Sequence, residues 1–138
     1  ALFGAVGQRE RARILASREP DDAAPQPLEA AVHVLVQHYE ADGSTMLNLL
    51  AQESRSPLIT DVLRDGRAAH EAWVERHCRA AMGSARGAAR ERRLDAAIAA
   101  TDLYTWKLMR LDRGLEPRQV ERVMLALLKG LERTAGGQ

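Results

Sequence analysis

His70, Trp73 and His77 recur at intervals of three and four residues, a spacing that stacks them along one stripe of a helix. Two imidazoles and an indole on an otherwise apolar stripe can line a binding pocket. Such pockets combine mostly apolar walls with a few polar groups that fix orientation. Thr101 and Tyr104 from a later segment, Met46 and Leu50 from an earlier one, and Tyr39 before them complete the candidate set. The ligand these residue types suit is a small, mostly apolar effector. The competing expectation is a solid core whose buried histidines and tyrosines are satisfied by backbone or water.

Other chemistries fit less well. His70 and His77 lie two helical turns apart, a poor spacing for sharing one small ion, and HEAWVERH is not the paired-histidine zinc pattern. No metal ligand set, cofactor motif or catalytic residue is assigned. There is no G-x-S-x-G elbow, no phosphate-cradling glycine loop following a strand, and no paired carboxylates. Gly83-Ser84-Ala85-Arg86-Gly87 reads as a connector. Cys78 lacks a base on its own helix face and reads as a partly buried small residue. The clusters Arg9/Arg11/Arg13 and Arg90/Arg92/Arg93 read as solvated helix faces.

The elements that must position these residues all show helical periodicity, with no alternating strand pattern. A first helix is expected over Ala1–Ser17, then an acidic, proline-bearing linker, Glu19–Pro27. A second follows over Leu28–Glu40. Asp42-Gly43-Ser44 is expected to turn the chain into a short third helix, capped by Ser44 or Thr45 and ending near Glu53. The fourth is expected from Pro57, suited to a first turn, to Met82, with Gly66 mid-helix at a cost of roughly 1 kcal/mol. The fifth spans Ala88–Arg113, stopped by Gly114. The sixth spans Pro117–Arg133, before a fraying tail, Ala135–Gln138.

At 138 residues, with 46% hydrophobic and 28% charged side chains, the chain is the size of one all-α domain. A net charge of +1 argues against grip on nucleic acid by bulk electrostatics. The lone Cys78 makes a reducing cytoplasmic compartment the default, and no apolar run is long enough to cross a membrane.

The fifth helix carries a further implication. Leu94, Ile98, Thr101, Thr105 and Leu108 line one side of it, while Ala99, Leu103 and Trp106 project nearly opposite. A helix apolar on opposed faces must be covered on both. One cover is the domain's own core, and the expected second cover is another copy of the chain. The fifth and sixth helices of two chains would then form an intermolecular four-helix bundle. Leu103, Trp106, Leu127, Leu128 and Leu131 are the expected homodimer contacts. Asp102, the one charge in the stretch, is expected to pair with an arginine such as Arg76 or Arg79 or to face the partner, with a ligand contact as the alternative.

Three places resemble the ligand-binding and dimerisation domain of TetR-type transcriptional repressors. These are the opening Ala1-Leu2-Phe3-Gly4-Ala5-Val6, the succession of helices, and above all Ala100-Thr101-Asp102-Leu103-Tyr104-Thr105-Trp106-Lys107-Leu108 with Arg113-Gly114-Leu115. The resemblance implies a repressor that releases DNA when a small molecule binds. The family's three-helix DNA-binding unit is not in this chain. An apolar-periodic pattern already under way at Ala1 gives the expectation that the unit lies upstream. Effector binding would shift Ala1–Ser17 relative to the fourth helix and so change the spacing of two DNA-binding heads. The alternative is a helical oligomerisation module without a ligand, which a solid interior would favour. A cavity of roughly several hundred cubic ångströms reaching His77 and Tyr104 would favour the sensor.

Overall fold

A computed structural model describes residues 27–136, which are all-α with no strand among them. The expected first helix, Ala1–Ser17, most of the linker and the end of the tail lie outside the described residues. No helix among those described is long and apolar enough to cross a membrane.

The first described helix, α1, runs unbroken over Leu28–Ala51, so the expected turn at Asp42-Gly43-Ser44 and the separate third helix do not form. Two contacts explain this. Asp42 is buried one turn after His38, its Oδ2 3.6 Å from His38 Nδ1. Gly43 is a packing glycine: a Cβ there would lie 2.6 Å from Cζ3 of Trp106. Its missing side chain makes room for an indole, and its backbone stays helical.

A 3₁₀ turn, Glu53–Arg55, leads to α2, Pro57–His77. The chain breaks at Cys78 and resumes as a short α3, Arg79–Met82, where a single helix to Met82 was expected. Gly83 and Gly87 take positive φ and make the expected connector.

The largest departure lies in the expected fifth helix. It divides into α4, Gly87–Thr101, and α5, Leu103–Lys107, which continues through a π-helical turn, Leu108–Asp112. Asp102 between them is extended (φ −70°, ψ 157°), and its Oδ2 accepts the Tyr104 N–H at 2.8 Å. Asp102 is thus a helix cap; among the described residues neither Arg76 nor Arg79 forms an ion pair with it. The break also resets the helical phase. In an unbroken helix the buried row of Leu94, Ala97 and Thr101 would continue through Tyr104, Thr105 and Leu108. After the break it is Leu103 and Trp106 that turn inward, while Tyr104 and Leu108 are exposed.

The opposed apolar faces therefore resolve into one core. Leu103 (6% exposed), Trp106 (3%) and Leu128 (0%) are covered within a single chain. The expectation that they need a second copy is corrected on that ground. Leu131 is half-buried against the same core, and only Leu127, at 49%, is exposed.

The last helix, α6, spans Pro117–Gly136, past the expected end at Arg133, and its buried Ala135 lies against Gly83. It packs on α1, α3 and α4, burying Val120, Met124 and Leu128 fully. Each side chain of this size contributes about 1.5–3 kcal/mol by leaving water. Arg93, expected on a solvated face, is buried as well. Its Nη1 donates to the carbonyls of Ala81 and Leu131 and to Thr134 Oγ1 at 3.2–3.3 Å. The guanidinium satisfies carbonyls near the ends of α3 and α6, where a cation is favoured.

Candidate functional site

A cavity of about 110 Å³ opens between α1, α2 and the α4–α5 break. From α1 come Tyr39, Met46 and Leu50, at intervals of seven and four residues that keep one helix face. From α2 come Leu63, Gly66, Arg67 and His70, again one face. Ile98 of α4 and the consecutive Asp102, Leu103 and Tyr104 close the third side.

Of the eight residues expected to bind a ligand, Tyr39, Met46, Leu50, His70 and Tyr104 meet at this cavity. Thr101, Trp73 and His77 do not line it. Thr101 is fully buried behind the wall, where it ties the helices together. Its hydroxyl donates to the Ala97 carbonyl at 2.8 Å and lies 3.1 Å from His70 Nε2. A hydroxyl has one proton to give, so His70 donates through Nε2 to Thr101 Oγ1. The Thr101 carbonyl accepts the Tyr39 hydroxyl at 2.8 Å. Trp73 packs in the core between two imidazoles, its ring centroid 5.8 Å from that of His70 and 5.1 Å from that of His77. The histidine–tryptophan stripe is therefore a packed ladder that reaches the cavity only at His70. The volume is also below the several hundred cubic ångströms expected of a sensor.

The cavity walls hold residues that the helical stripe alone did not single out. No described atom lies within 4 Å of where a Cβ on Gly66 would sit, so this glycine leaves space on the wall. Arg67 meets Glu53 of the 3₁₀ turn through two parallel bonds, Nη1 to Oε2 at 2.7 Å and Nη2 to Oε1 at 2.9 Å. These bonds hold the Glu53 carboxyl below its usual range. They also raise Arg67, with smaller contributions from the nearby Tyr104 and Asp102. Asp102 and Leu103 reach the wall through the helix break, which periodicity does not reveal. An Asp directly ahead of the apolar Leu103 was the available signal for that cap.

Beside the cavity, Glu40 holds the α5 segment in place. It accepts from Trp106 Nε1 at 2.7 Å and from Arg110 Nε at 3.1 Å. Thr105 donates across the break to the Ala99 carbonyl. With Tyr39 and Thr101, Thr105 satisfies carbonyls that the interrupted helix would leave bare. The arrangement offers an apolar recess with polar atoms at its edge, suited to binding a small molecule. Cys78 lies apart from it in the core, and burial pushes its thiol up to about 12. No family model matches the chain, and no curated protein or solved structure matches it either.

Proposed function

We propose that the chain is the effector-sensing and dimerisation domain of a TetR-like transcriptional repressor, working in the cytoplasm. A small, mostly apolar molecule bound between the helices would make the full-length protein release DNA. The observation that carries this reading is the cavity at which Tyr39, Met46, Leu50, His70 and Tyr104 converge from three helical segments. Its walls belong to different helices, so a ligand that fills it has leverage on their spacing. Contact with DNA would fall to a helix-turn-helix unit joined ahead of this domain. Two such units read half-sites at a separation that duplex geometry dictates, so a change in their spacing weakens the grip. The ligand must favour one spacing over the other for this to work.

Pairing of two copies is the other half of the proposal. Its support is the apolar surface left exposed after folding, Leu108 and Leu111 on the π turn and Leu127 on α6. The competing reading, a helical oligomerisation module without a ligand, draws support from the modest cavity volume and the tightly bonded Thr101.

A thermal-shift screen of small apolar compounds separates the two. The sensor reading expects compounds that raise the melting temperature of the native chain and lose that effect in Gly66→Leu, which fills the cavity. A screen without such compounds refutes the sensor. Sedimentation of the same protein tests pairing: a species near twice 15.2 kDa is expected, and a monomer at high concentration refutes it.

A further inference from the structure

We infer that the cavity takes a small ring or branched alkyl group bearing one hydrogen-bond donor, a hydroxyl or an amine, and discriminates against carboxylates. This deepens the sensor reading and rests on it.

Size comes first. An apolar cavity of roughly 150 Å³ accommodates benzene. At about 110 Å³ this recess is smaller, and Tyr104 on its lining is 56% exposed, so one ring or a short branched chain fills it with its head group at the solvent edge. Gly66 supplies part of that space.

The hydrogen-bonding capacity of the walls then selects the head group. The deeper polar atoms are engaged with one another: Tyr39 with the Thr101 carbonyl, and His70 with the Thr101 hydroxyl. Two side-chain oxygens on the lining residues make no hydrogen bond among the described residues. They are Asp102 Oδ1, whose sister Oδ2 caps α5, and the Tyr104 hydroxyl. A carboxylate oxygen accepts and cannot donate, so a ligand that meets Asp102 must bring the proton.

Charge points the same way. The nearby cation, Arg67, already has both terminal nitrogens on Glu53. Counting Glu53, Arg67 and Asp102 together leaves the mouth with one excess negative charge. An incoming carboxylate would face Asp102 beside a guanidinium whose charge Glu53 already offsets, whereas a hydroxyl or ammonium would find an acceptor.

The test is an NMR shift titration of the 138-residue protein with 4-methylphenol, benzylamine, toluene and benzoate. At least one of the two donor-bearing probes should bind about tenfold or more tightly than toluene, the scale of one hydrogen bond to a charged group. Benzoate should bind more weakly than toluene. Asp102→Asn keeps a residue type that caps helices equally well, but it removes the charge. In that variant the donor advantage should shrink and benzoate should gain on toluene. Gly66→Leu should abolish binding of all four.

The ligand class is overturned by any of three results: benzoate binding tightest, toluene matching both donor-bearing probes, or no saturable binding by any of the four. It is equally overturned if Asp102→Asn folds and leaves the ranking unchanged. Each of these leaves the sensor reading standing, because that reading falls only when the wider thermal-shift screen yields nothing sensitive to Gly66→Leu.

Discussion

Gly43 and Gly66 both sit inside helices, yet adding a methyl group to each should move stability in opposite directions. In a helix interior, Gly→Ala is worth about 1 kcal/mol of helix propensity. At Gly66 nothing described lies within 4 Å of the new Cβ, so Gly66→Ala should gain that amount. At Gly43 the new Cβ would lie 2.6 Å from Cζ3 and 2.8 Å from Cη2 of Trp106. That indole is buried and tethered, its Nε1 donating to Glu40 Oε2 at 2.7 Å. Overpacking of a filled core costs about 1–3 kcal/mol. Moving the ring far enough to relieve the clash also stretches a hydrogen bond to a carboxylate, worth about 1.5–3 kcal/mol. Against a propensity gain of about 1 kcal/mol, Gly43→Ala should lose about 2–4 kcal/mol. That corresponds to a melting temperature lower by about ten degrees for a chain of this size.

Urea unfolding followed by circular dichroism measures both variants, and tryptophan emission reports on the indole. A double-mutant cycle isolates the cause. In a Trp106→Phe background the ring is smaller, and the penalty of Gly43→Ala should shrink by more than about 1 kcal/mol. Gly43→Ala that equals or exceeds the parent in stability, with unchanged emission, would refute the packing role. A penalty of the same size in the Trp106→Phe background would mean that the clash lies elsewhere.

Two further perturbations test the core. Arg93→Leu takes the guanidinium from the carbonyls of Ala81 and Leu131, of which Leu131 keeps its bond from the Thr134 hydroxyl, so urea unfolding should show a loss of about 1–3 kcal/mol, partly recovered in Arg93→Lys; a change within about 0.5 kcal/mol would show that water serves those groups equally well. Cys78 has a thiol raised on folding from 9.0 to about 12, so its protonated form contributes stability that is complete below pH 9 and lost as pH climbs toward 12. At pH 10 the native chain should lose about 1.4 kcal/mol relative to Cys78→Ala, compared with the difference at neutral pH, and equal loss in both would refute a buried thiol.

The helical class was legible because apolar residues recur with helical spacing through nearly every segment. What the spacing does not weigh is the cost of a terminus against the contacts that offset it. Asp42-Gly43-Ser44 carries turn chemistry, yet Tyr39, Gly43, Met46 and Leu50 remain in helical phase across it. That phase, with His38 beside Asp42 and an indole over Gly43, keeps α1 continuous. Five of the eight candidate residues meet at the cavity because they follow from the face each helix turns inward. Trp73, His77 and Thr101 share those faces but are taken up by ring stacking and hydrogen bonds, which depend on depth, and a helical wheel has no depth coordinate.

Asp102 shows the opposite error and what it does for the site. Periodicity through Thr101 and Thr105 fits one long helix, and on that helix Leu103 and Trp106 face away from the core. A single capping carboxylate, bonded to the Tyr104 N–H, offsets part of the cost of ending α4 at Thr101. Tyr39 and Thr105 take up carbonyls on the other side of the break. The gain is larger than the cap alone, since the phase change brings a leucine and an indole out of water, each worth roughly 1.5–3 kcal/mol or more. The same break turns Asp102, Leu103 and Tyr104 toward the recess beside Gly66. The core contact and the recess thus share one cause. On the sensor proposal, a ligand that pulled on Asp102 would act on the residue that sets the phase of Trp106, and occupancy of the recess would have a direct mechanical route into the packing of α1 and α5.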